Sequence, residues 1–332
     1  MSHLHLDYIG SKKTLFPVLD RVFSRYIHED TRFGDLFAGT GTVAFLVQQK
    51  YRCRVVANDL QYYAYVINRA ILSHYTAAEK RLIREKVAEY NGLRGRRGFI
   101  AQNYGPPKRM YFTRENAERI DAMRMRLEED RPRLPAPVYF YLLASIIVAA
   151  DKCANTSSVF ASYLKEFKAS ALRPVRLADP EFPDVARGNR CFHADATTVA
   201  AKTDCDVVYL DPPYNSRAYS YYYHVLETIA RYDSPKIHGK TGIPDERPHS
   251  AFSSAAEAEQ AFRDLVANIK ARVLILSYND EGLLSHEALR KILRTHGRVK
   301  MLKIPYKKFK AQQGVDRQDL FEYLFVSVKS DI

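Results

Sequence analysis

One segment near the amino end constrains the fold more than any other part of the chain. Residues 33–37 end a short apolar strand, residues 38–41 form a glycine-rich turn, and residues 42–49 have helical character. A second strand, 55–58, follows and ends at an acid. This order of strand, glycine turn, helix and strand predicts one unit of a doubly wound α/β sheet that binds a nucleoside.

The glycine turn limits the class of ligand. Gly39 and Gly41 allow a ligand to approach the backbone closely at the head of a helix. The three-glycine dinucleotide fingerprint is not met, and no Gly-Lys-Ser/Thr sequence follows, which disfavours a nucleotide triphosphate. Asp59, at the end of the second strand, is placed to bind the two hydroxyls of a ribose. We therefore expect a nucleoside-containing ligand at this end of the strands.

A tetrapeptide in the second half of the chain carries the candidate chemistry. Asp211-Pro212-Pro213-Tyr214 follows the apolar run 207–210, which predicts a buried strand ending at the prolines. The Asp211 carboxylate and the Pro212 carbonyl can both accept hydrogen bonds from a planar exocyclic amine, and Tyr214 offers a flat face for a purine. The alternative is an ordinary strand-to-loop corner, because prolines often end strands.

Six motifs occur in an order that is typical of one enzyme family. Tyr-Ile-Gly-Ser-Lys at 8–12, the glycine turn, Asn-Asp-Leu at 58–60 and His-Ala-Asp-Ala at 193–196 precede the tetrapeptide, and Leu-Ser-Tyr-Asn at 276–279 follows it. In these motifs the chain resembles the amino-directed DNA methyltransferases of the adenine-N6 branch, which includes the Dam-type and FokI-type modification methylases. The resemblance implies S-adenosylmethionine as the cofactor and double-stranded DNA as the partner.

The resemblance also implies roles for individual residues. It makes the tetrapeptide the catalytic motif, formed by Asp211, Pro212, Pro213 and Tyr214. The residues that it implies for cofactor binding are Tyr8, Gly10, Ser11, Lys12, Asp35, Phe37, Ala38, Gly39, Thr40, Gly41, Asp59, Leu60, Asp195, Ala196 and Asp211.

The remaining pattern predicts the fold class and its division. Strand patterns recur at 190–193, 206–210, 273–277, 299–304 and 323–328, and helical patterns fill 62–74, 77–90, 113–129 and 138–152. We predict a doubly wound, mixed, mostly parallel sheet, which by resemblance is a Rossmann-like methyltransferase fold. Residues 1–60 and 189–332 would form the cofactor-binding catalytic domain. Residues 61–188 would form a largely helical insert, which carries target recognition in similar enzymes, or alternatively a helical lid with a packing role.

Charge favours a polyanionic partner. Lys and Arg total 51 against 38 acids, a formal net charge of +13 over 332 residues, and each phosphate that a protein neutralises releases a counterion. A soluble protein with many solvated lysines is the other explanation of this excess. The basic residues predicted to contact DNA are Arg94, Arg96, Arg97, Lys108, Arg109, Lys152, Lys165, Lys168, Arg217, Lys307, Lys308 and Lys310.

Three further segments have features that a DNA enzyme can use. Residues 155–158, Asn-Thr-Ser-Ser, could read base edges or phosphates. Tyrosines 221–223 could stack on an extruded base, although packing of each ring on the sheet is equally consistent with the pattern. Residues 233–254, rich in Pro, Gly, His and Ser, predict a long mobile loop that orders on DNA.

Several classes of protein are disfavoured. The four cysteines are scattered without Cys-x-x-Cys spacing, which predicts neither a metal site nor a disulfide framework and fits a reducing cytoplasm. The polar amino terminus is unlike a signal peptide, and the longest apolar run, 138–150, is too short to span a membrane. A cognate restriction endonuclease is a partner that the family admits, and the sequence leaves open whether the enzyme works alone.

The expected mechanism is direct methyl transfer to a flipped-out adenine. Hydrogen bonds from the amine to Asp211 and to the Pro212 carbonyl would concentrate the nitrogen lone pair, and Tyr214 would fix the plane of the base. Two alternatives remain open at this point. One is a cytosine-N4 DNA methyltransferase, whose motif more often begins with Ser than with Asp. The other is a non-catalytic nucleic-acid-binding protein on the same fold.

Overall fold

Within the described residues, seven strands form one mixed sheet and two more form a hairpin. The computed structural model describes residues 4, 6, 12–213, 219–280, 282–306 and 320–329. The strands are β1 (Arg32–Asp35), β2 (Arg54–Asn58), β3 (Arg190–Phe192), β4 (Val207–Leu210), β5 (Ile237–His238), β6 (Ile243–Pro244), β7 (Val273–Asn279), β8 (Arg298–Tyr306) and β9 (Leu320–Val328).

The large sheet has the order β3-β2-β1-β4-β7-β9-β8. The pairs from β3 to β7 are parallel, whereas β9 is antiparallel to both β7 and β8. The chain therefore winds outward in two directions from the β1–β4 pair. This confirms the doubly wound, mostly parallel α/β fold that the sequence predicted.

Helices cover both faces of the sheet. They are α1 (Phe16–Phe23), α2 (Thr42–Tyr51), α3 (Tyr62–Ile71), α4 (Ala77–Asn91), α5 (Phe99–Asn103), α6 (Arg114–Asp130), α7 (Ala136–Lys152), α8 (Ala196–Lys202), α9 (Tyr219–Tyr222), α10 (His224–Arg231), α11 (Ala258–Asn268) and α12 (His286–Leu293). Caps set several of their starts: the Thr113 side chain accepts the Asn116 N–H, and Thr76 forms a capping box with Glu79.

Alternating residues of the central strands enter two separate cores. Val207 and Tyr209 of β4 pack into the core on the side of α1, α2 and α3. Val208 and Leu210 pack into the opposite core, on the side of α8, α11 and α12. This two-sided burial explains why the central strands are continuously apolar and lack the alternation of a half-exposed strand.

The region 61–188 is helical in its first part and irregular in its second. It contains α3 to α7, of which α5 was not predicted, and residues 153–189 form neither helix nor strand. Its apolar residues belong to the same core as β1 and β4; examples are Tyr104, Phe112 and Leu142. The division at residue 61 and the role of the insert in target recognition remain predictions.

The prediction that residues 233–254 form one long mobile loop is wrong in part. The segment contains the hairpin of β5 and β6 and a 3-10 turn at Ala251–Ser253. The Arg109 guanidinium donates to the carbonyls of Gly239 and Lys240, and the Tyr104 hydroxyl donates to the Gly242 carbonyl. The composition was misleading because other parts of the chain hold the turn in place.

The described part of the chain contains no helix that is both long and apolar enough to cross a membrane.

Candidate active site

Most of the predicted site residues that the structure describes meet at one edge of the sheet. Because β1 to β4 are parallel, their carboxyl ends lie together, and β1 and β4 flank the point where the winding reverses. A pocket opens at this edge. The predicted residues that line it are Lys12, Asp35, Phe37, Ala38, Gly39, Thr40, Asp59, Leu60, Asp195, Ala196, Asp211 and Pro213. The structure therefore brings distant motifs into one cavity, while the ligand contacts of each residue remain predictions.

The glycine turn has the conformation that its sequence predicted. Gly39 and Gly41 have φ values of 51° and 78°, in the left-handed region that favours glycine. A Cβ at position 41 would lie 2.5 Å from Oδ1 of Asn68 in α3. The Asn68 amide also donates to the Gly39 carbonyl at 2.8 Å. The turn is thus fixed from α3, which packs directly behind it.

Asp59 is bound to the glycine turn by its own carboxylate. One oxygen accepts the Gly39 N–H and the other accepts the Gln61 N–H, each at 2.8 Å. Burial raises the pKa of Asp59 to about 6, although these two N–H groups oppose the shift. The acid predicted to bind a ribose therefore also sets the distance between the ends of β1 and β2.

The neighbouring Asn58 ties three strand ends together. Its amide donates to the carbonyls of Leu36 and Ala194 at 3.0 and 3.1 Å, and its Oδ1 accepts the Ala194 N–H. Asp195 follows directly and caps α8, because its carboxylate accepts the N–H groups of Thr197 and Thr198. Asp195 is exposed at the pocket and keeps further lone pairs for a ligand.

The candidate catalytic acid is held by a buried cation. Nζ of Lys12 lies 3.0 Å from Oδ1 of Asp211 and 3.0 Å from Oε1 of Glu322, and the Lys12 side chain is 5% exposed. Burial raises the pKa of Asp211 to about 6; the Lys12 charge opposes this shift and the Glu322 charge adds to it. Lys12 was predicted only as a cofactor ligand, so its contact with the catalytic acid is a feature that the motif did not reveal.

A third buried carboxylate, Asp35, lies in the same pocket. It is 1% exposed, and its Oδ1 has no hydrogen-bond partner among the described residues. Burial raises its pKa well above the ordinary value, and the charges of Asp211 and Asp59 raise it further. The site thus concentrates negative charge that suits a cationic ligand.

Further buried polar atoms in the pocket lack partners among the described residues. They include Oγ1 of Thr42, Oε1 of Gln61, Oγ of Ser253 and the hydroxyl of Tyr209. Buried polar groups in proteins are almost always hydrogen-bonded, so a cluster of unsatisfied atoms around one cavity indicates a polar ligand. With the acids and the glycine turn, they fit a ligand with hydroxyls, an amino group and a positive charge, as S-adenosylmethionine has.

The segment 248–253 also contributes to the lining of the pocket. Pro248, Ser250, Phe252 and Ser253 line it, and the Phe252 ring packs edge-on against Phe37 at 4.9 Å between centroids. Sequence reasoning missed these residues because the segment was interpreted as a mobile loop. The single apolar Phe252 within a polar stretch was the available signal.

The predicted DNA-contacting residues that the structure describes differ in their surroundings. Arg94, Arg96, Arg97, Lys108, Lys152 and Lys165 are exposed. Arg109 is occupied in holding the hairpin, and Lys168 donates to the Thr156 carbonyl at 2.6 Å. Their contacts with DNA remain predictions.

The prediction that Asn155 reads bases or phosphates is wrong. The side chain is fully buried. Its amide donates to the carbonyls of Met110 and Leu164, and its Oδ1 accepts the Lys168 N–H. Every atom of the amide is used to fold the segment, so Asn155 has a structural role. Ser157 and Ser158 remain accessible.

The tyrosines after the candidate catalytic motif differ in their exposure to solvent. Tyr223 is buried and packs on Tyr63 at 5.7 Å, whereas Tyr221 is 44% exposed with the Arg247 guanidinium over its ring at 4.1 Å. Tyr221 is thus the one of the two that could stack on a base. Some predicted residues lie outside the described part of the chain, namely Tyr8, Gly10, Ser11, Tyr214, Arg217, Lys307, Lys308 and Lys310.

Comparison with known proteins agrees with this arrangement. The family model for D12 class N6 adenine-specific DNA methyltransferases matches residues 8–292. Type II methyltransferase M.NlaIII of Neisseria lactamica is 35% identical over 98% of this chain and 100% of its own length. M.CviAII of Paramecium bursaria Chlorella virus 1 is 34% identical, over 96% of this chain and 97% of its own length. M.FokI of Planomicrobium okeanokoites is 33% identical, but the match spans only 53% of that protein.

Proposed function

Because this chain belongs to the D12 class of N6 adenine-specific DNA methyltransferases, we propose that it moves a methyl group from S-adenosylmethionine to N6 of a flipped-out adenine within a specific site in duplex DNA. The observation that carries the proposal is the position of Asp211. It ends β4 in the same pocket as the glycine turn and Asp59, with its carboxylate fixed by Lys12.

The chain's own residues account for cofactor binding. Asp59 has lone pairs left for the ribose hydroxyls after binding the turn, and Gly39 and Gly41 leave the backbone accessible. The unpartnered Oδ1 of Asp35 is available to an amino group or a cation. When bound, S-adenosylmethionine supplies an electrophilic methyl group on a positively charged sulfur.

Asp211 and Pro212 would hold the acceptor base. The adenine N6 lone pair is delocalised into the ring, so the free amine is a weak nucleophile. Hydrogen bonds from its two N–H groups to the Asp211 carboxylate and the Pro212 carbonyl favour a pyramidal nitrogen with a localised lone pair. The nitrogen becomes positively charged as it gains the methyl, and an ionised Asp211 stabilises that charge. The cofactor would be left as a neutral thioether, and the methylated nitrogen would then lose one proton to solvent water.

The state of Asp211 gives the reaction a pH dependence. A protonated carboxyl accepts hydrogen bonds poorly and carries no charge to stabilise the nitrogen. Since burial raises the pKa of Asp211 to about 6, methyl transfer should fall as the pH decreases through that region.

Double-stranded DNA and, by analogy with modification methylases, a cognate restriction endonuclease are the proposed partners. The net charge of +13 and the exposed basic residues of the insert support DNA as a partner. The names of several relatives, which call them Type II methyltransferases, support an associated endonuclease.

Identification of the modified base tests the proposal. Unmethylated plasmid DNA is incubated with the protein and methyl-labelled S-adenosylmethionine, then digested to nucleosides. We expect the label in N6-methyladenosine and its loss in Asp211→Ala. Label in N4-methylcytidine would identify the cytosine alternative, and no label with the unaltered protein would favour a binding protein.

A further inference from the structure

Three strands place a row of polar side chains beside the catalytic acid. Leu210 of β4 pairs with Leu276 of β7, so Asp211 and Ser277 are the next residues along these two strands. Ser277 pairs with Leu324 of β9, and Glu322 lies two residues before Leu324, on the same face. This face is the one covered by α1, which Lys12 precedes. Asp211 and Glu322 thus converge on one buried ammonium, and the Ser277 hydroxyl bonds to Glu322 beside it.

In the described part of the chain, Glu322 contacts Ser277 and Lys12, which are both buried. Its Oε1 accepts a hydrogen bond from the Ser277 hydroxyl at 2.6 Å and lies 3.0 Å from Nζ of Lys12. Glu322 is 4% exposed and Ser277 is fully buried. The register of β7 and β9 fixes the carboxylate, and the carboxylate in turn fixes Lys12 against Asp211.

Lys12, Asp211 and Glu322 together carry more negative charge than a neutral buried ion pair. Lys12 and Asp211 alone would form a neutral buried pair. Among the described residues the second carboxylate has no cation of its own, so the three side chains keep a net negative charge in the interior, which costs stability. Sites where buried charges are kept at such a cost are candidates for function.

We propose that Glu322, oriented by Ser277, is a positioning residue that shares the Lys12 ammonium and so leaves Asp211 oriented and net negative toward the substrate amine. The inference rests on the proposed function. If Lys12 were bound to Asp211 alone, its charge would cancel the carboxylate that must stabilise the nitrogen as it becomes positive. Because Lys12 contacts two acids, its positive charge does not fully cancel that of Asp211, and the potential at the reacting nitrogen stays negative.

Several titratable groups face Asp211 and would influence its titration. They are Lys12 ahead of α1, Glu322 on β9, Asp35 at the end of β1, and the Tyr209 hydroxyl on β4. Glu322→Gln removes one negative charge from this set and changes no other member. This substitution should lower the pKa of Asp211. The acid limb of the rate profile, where the rate falls as the pH decreases, should therefore move to lower pH.

The test compares Glu322→Gln with the unaltered protein in single-turnover methylation of unmethylated plasmid DNA between pH 5 and 9. We expect the plateau rate to fall roughly tenfold, since the negative potential at Asp211 decreases. We expect the acid limb to move about one pH unit lower. Calorimetry should give an affinity for S-adenosylmethionine within about threefold of the unaltered protein.

Asp130→Asn is the matched control. Asp130 is a buried acid that contacts Lys86 Nζ at 2.8 Å and accepts a hydrogen bond from the Tyr90 hydroxyl at 3.0 Å. It therefore resembles Glu322 in its partners, but among the described residues it contacts neither Lys12 nor Asp211. Its substitution should lower the melting temperature and leave the acid limb in place. An equal shift in this control, or an unmoved limb in Glu322→Gln, would overturn the inference.

If Glu322→Gln does not fold, Ser277→Ala tests the positioning role of Glu322 in its place. It removes only the hydroxyl that orients Glu322, and we expect a roughly threefold slower plateau rate with unchanged cofactor affinity. An unchanged rate would overturn the inference. Failure of the proposed function itself is separate, because in that case the unaltered protein would produce no N6-methyladenine at all.

Discussion

Nζ of Lys12 lies 3.0 Å from Oδ1 of Asp211, although one residue precedes the first helix and the other ends the fourth strand. The contact joins the amino-terminal motif to the catalytic motif within the core that α1 covers. Lys12 is almost completely buried, so its charge acts on Asp211 with little screening by water. The two motifs therefore lie together in one buried cluster.

Asp59→Ala should weaken the binding of S-adenosylmethionine. The substitution removes the acid expected to bind the ribose and releases the N–H of Gly39. We expect a loss of roughly 1.5–3 kcal/mol, the range for a hydrogen bond to a charged group. Isothermal calorimetry measures it directly, and an unchanged affinity would mean that the ribose is bound elsewhere.

Asp35→Asn should stabilise the protein at alkaline pH. Burial and two neighbouring acids raise the pKa of Asp35, so its ionisation costs folding free energy that increases as the pH rises above the pKa of the unfolded chain. The amide has no such cost. At pH 8 we expect the variant to melt at a higher temperature than the unaltered protein. The increase should be roughly 2–4 °C for each kcal/mol that the substitution adds to the free energy of unfolding.

The difference between the two proteins should be much smaller at pH 4.5, because that pH lies less than one unit above the ordinary carboxyl pKa of the unfolded chain. An increase in melting temperature that is the same at both pH values would show that the charge of Asp35 is not its cause.

Asn155→Ala should destabilise the fold without a change in sequence preference. It leaves the carbonyls of Met110 and Leu164 and the Lys168 N–H without their partner. These groups are partly buried, so we expect a total loss of about 1–3 kcal/mol. Ser157→Ala, at an exposed position of the same segment, should change stability by less than about 0.5 kcal/mol. Denaturant unfolding of both variants tests this, and near-equal values would contradict it.

Lys152→Ala with Lys165→Ala should make DNA binding less dependent on salt. Both lysines are exposed, and the segment between them adjoins the region after the catalytic motif, because the Phe160 N–H donates to the Tyr222 carbonyl at 2.7 Å. Each lost phosphate contact should reduce the slope of log K against log salt by about 0.9.

Titrations at several salt concentrations, with duplexes of different sequence, measure that slope. Lys202→Ala is the control, since Lys202 is exposed at the end of α8 that points away from the pocket. An identical slope in the double variant and the unaltered protein would remove these lysines from the DNA interface.

The sequence predicted the sheet and the edge that carries the site because local chemistry determines both. Two glycines with left-handed φ define the turn, and continuous apolar runs define the buried strands. Phe252 was missed because its packing on Phe37 joins distant segments. The polar composition of residues 155–158 indicated exposure, whereas the structure buries Asn155 through partners 9 to 45 residues away. Long-range contacts of this kind leave no periodic pattern in the sequence.

The central claim is that Asp211 acts on the acceptor base in a pocket that binds the cofactor independently. Asp211→Asn tests it most directly, because the amide keeps the shape of the side chain and loses its charge. The measurement combines single-turnover methylation of plasmid DNA with calorimetric titration of S-adenosylmethionine. We predict a cofactor affinity within about threefold of the unaltered protein and a methylation rate lower by at least roughly 100-fold. A variant that methylates adenine at the unaltered rate, or one whose slow rate is fully explained by lost cofactor affinity, would contradict the account.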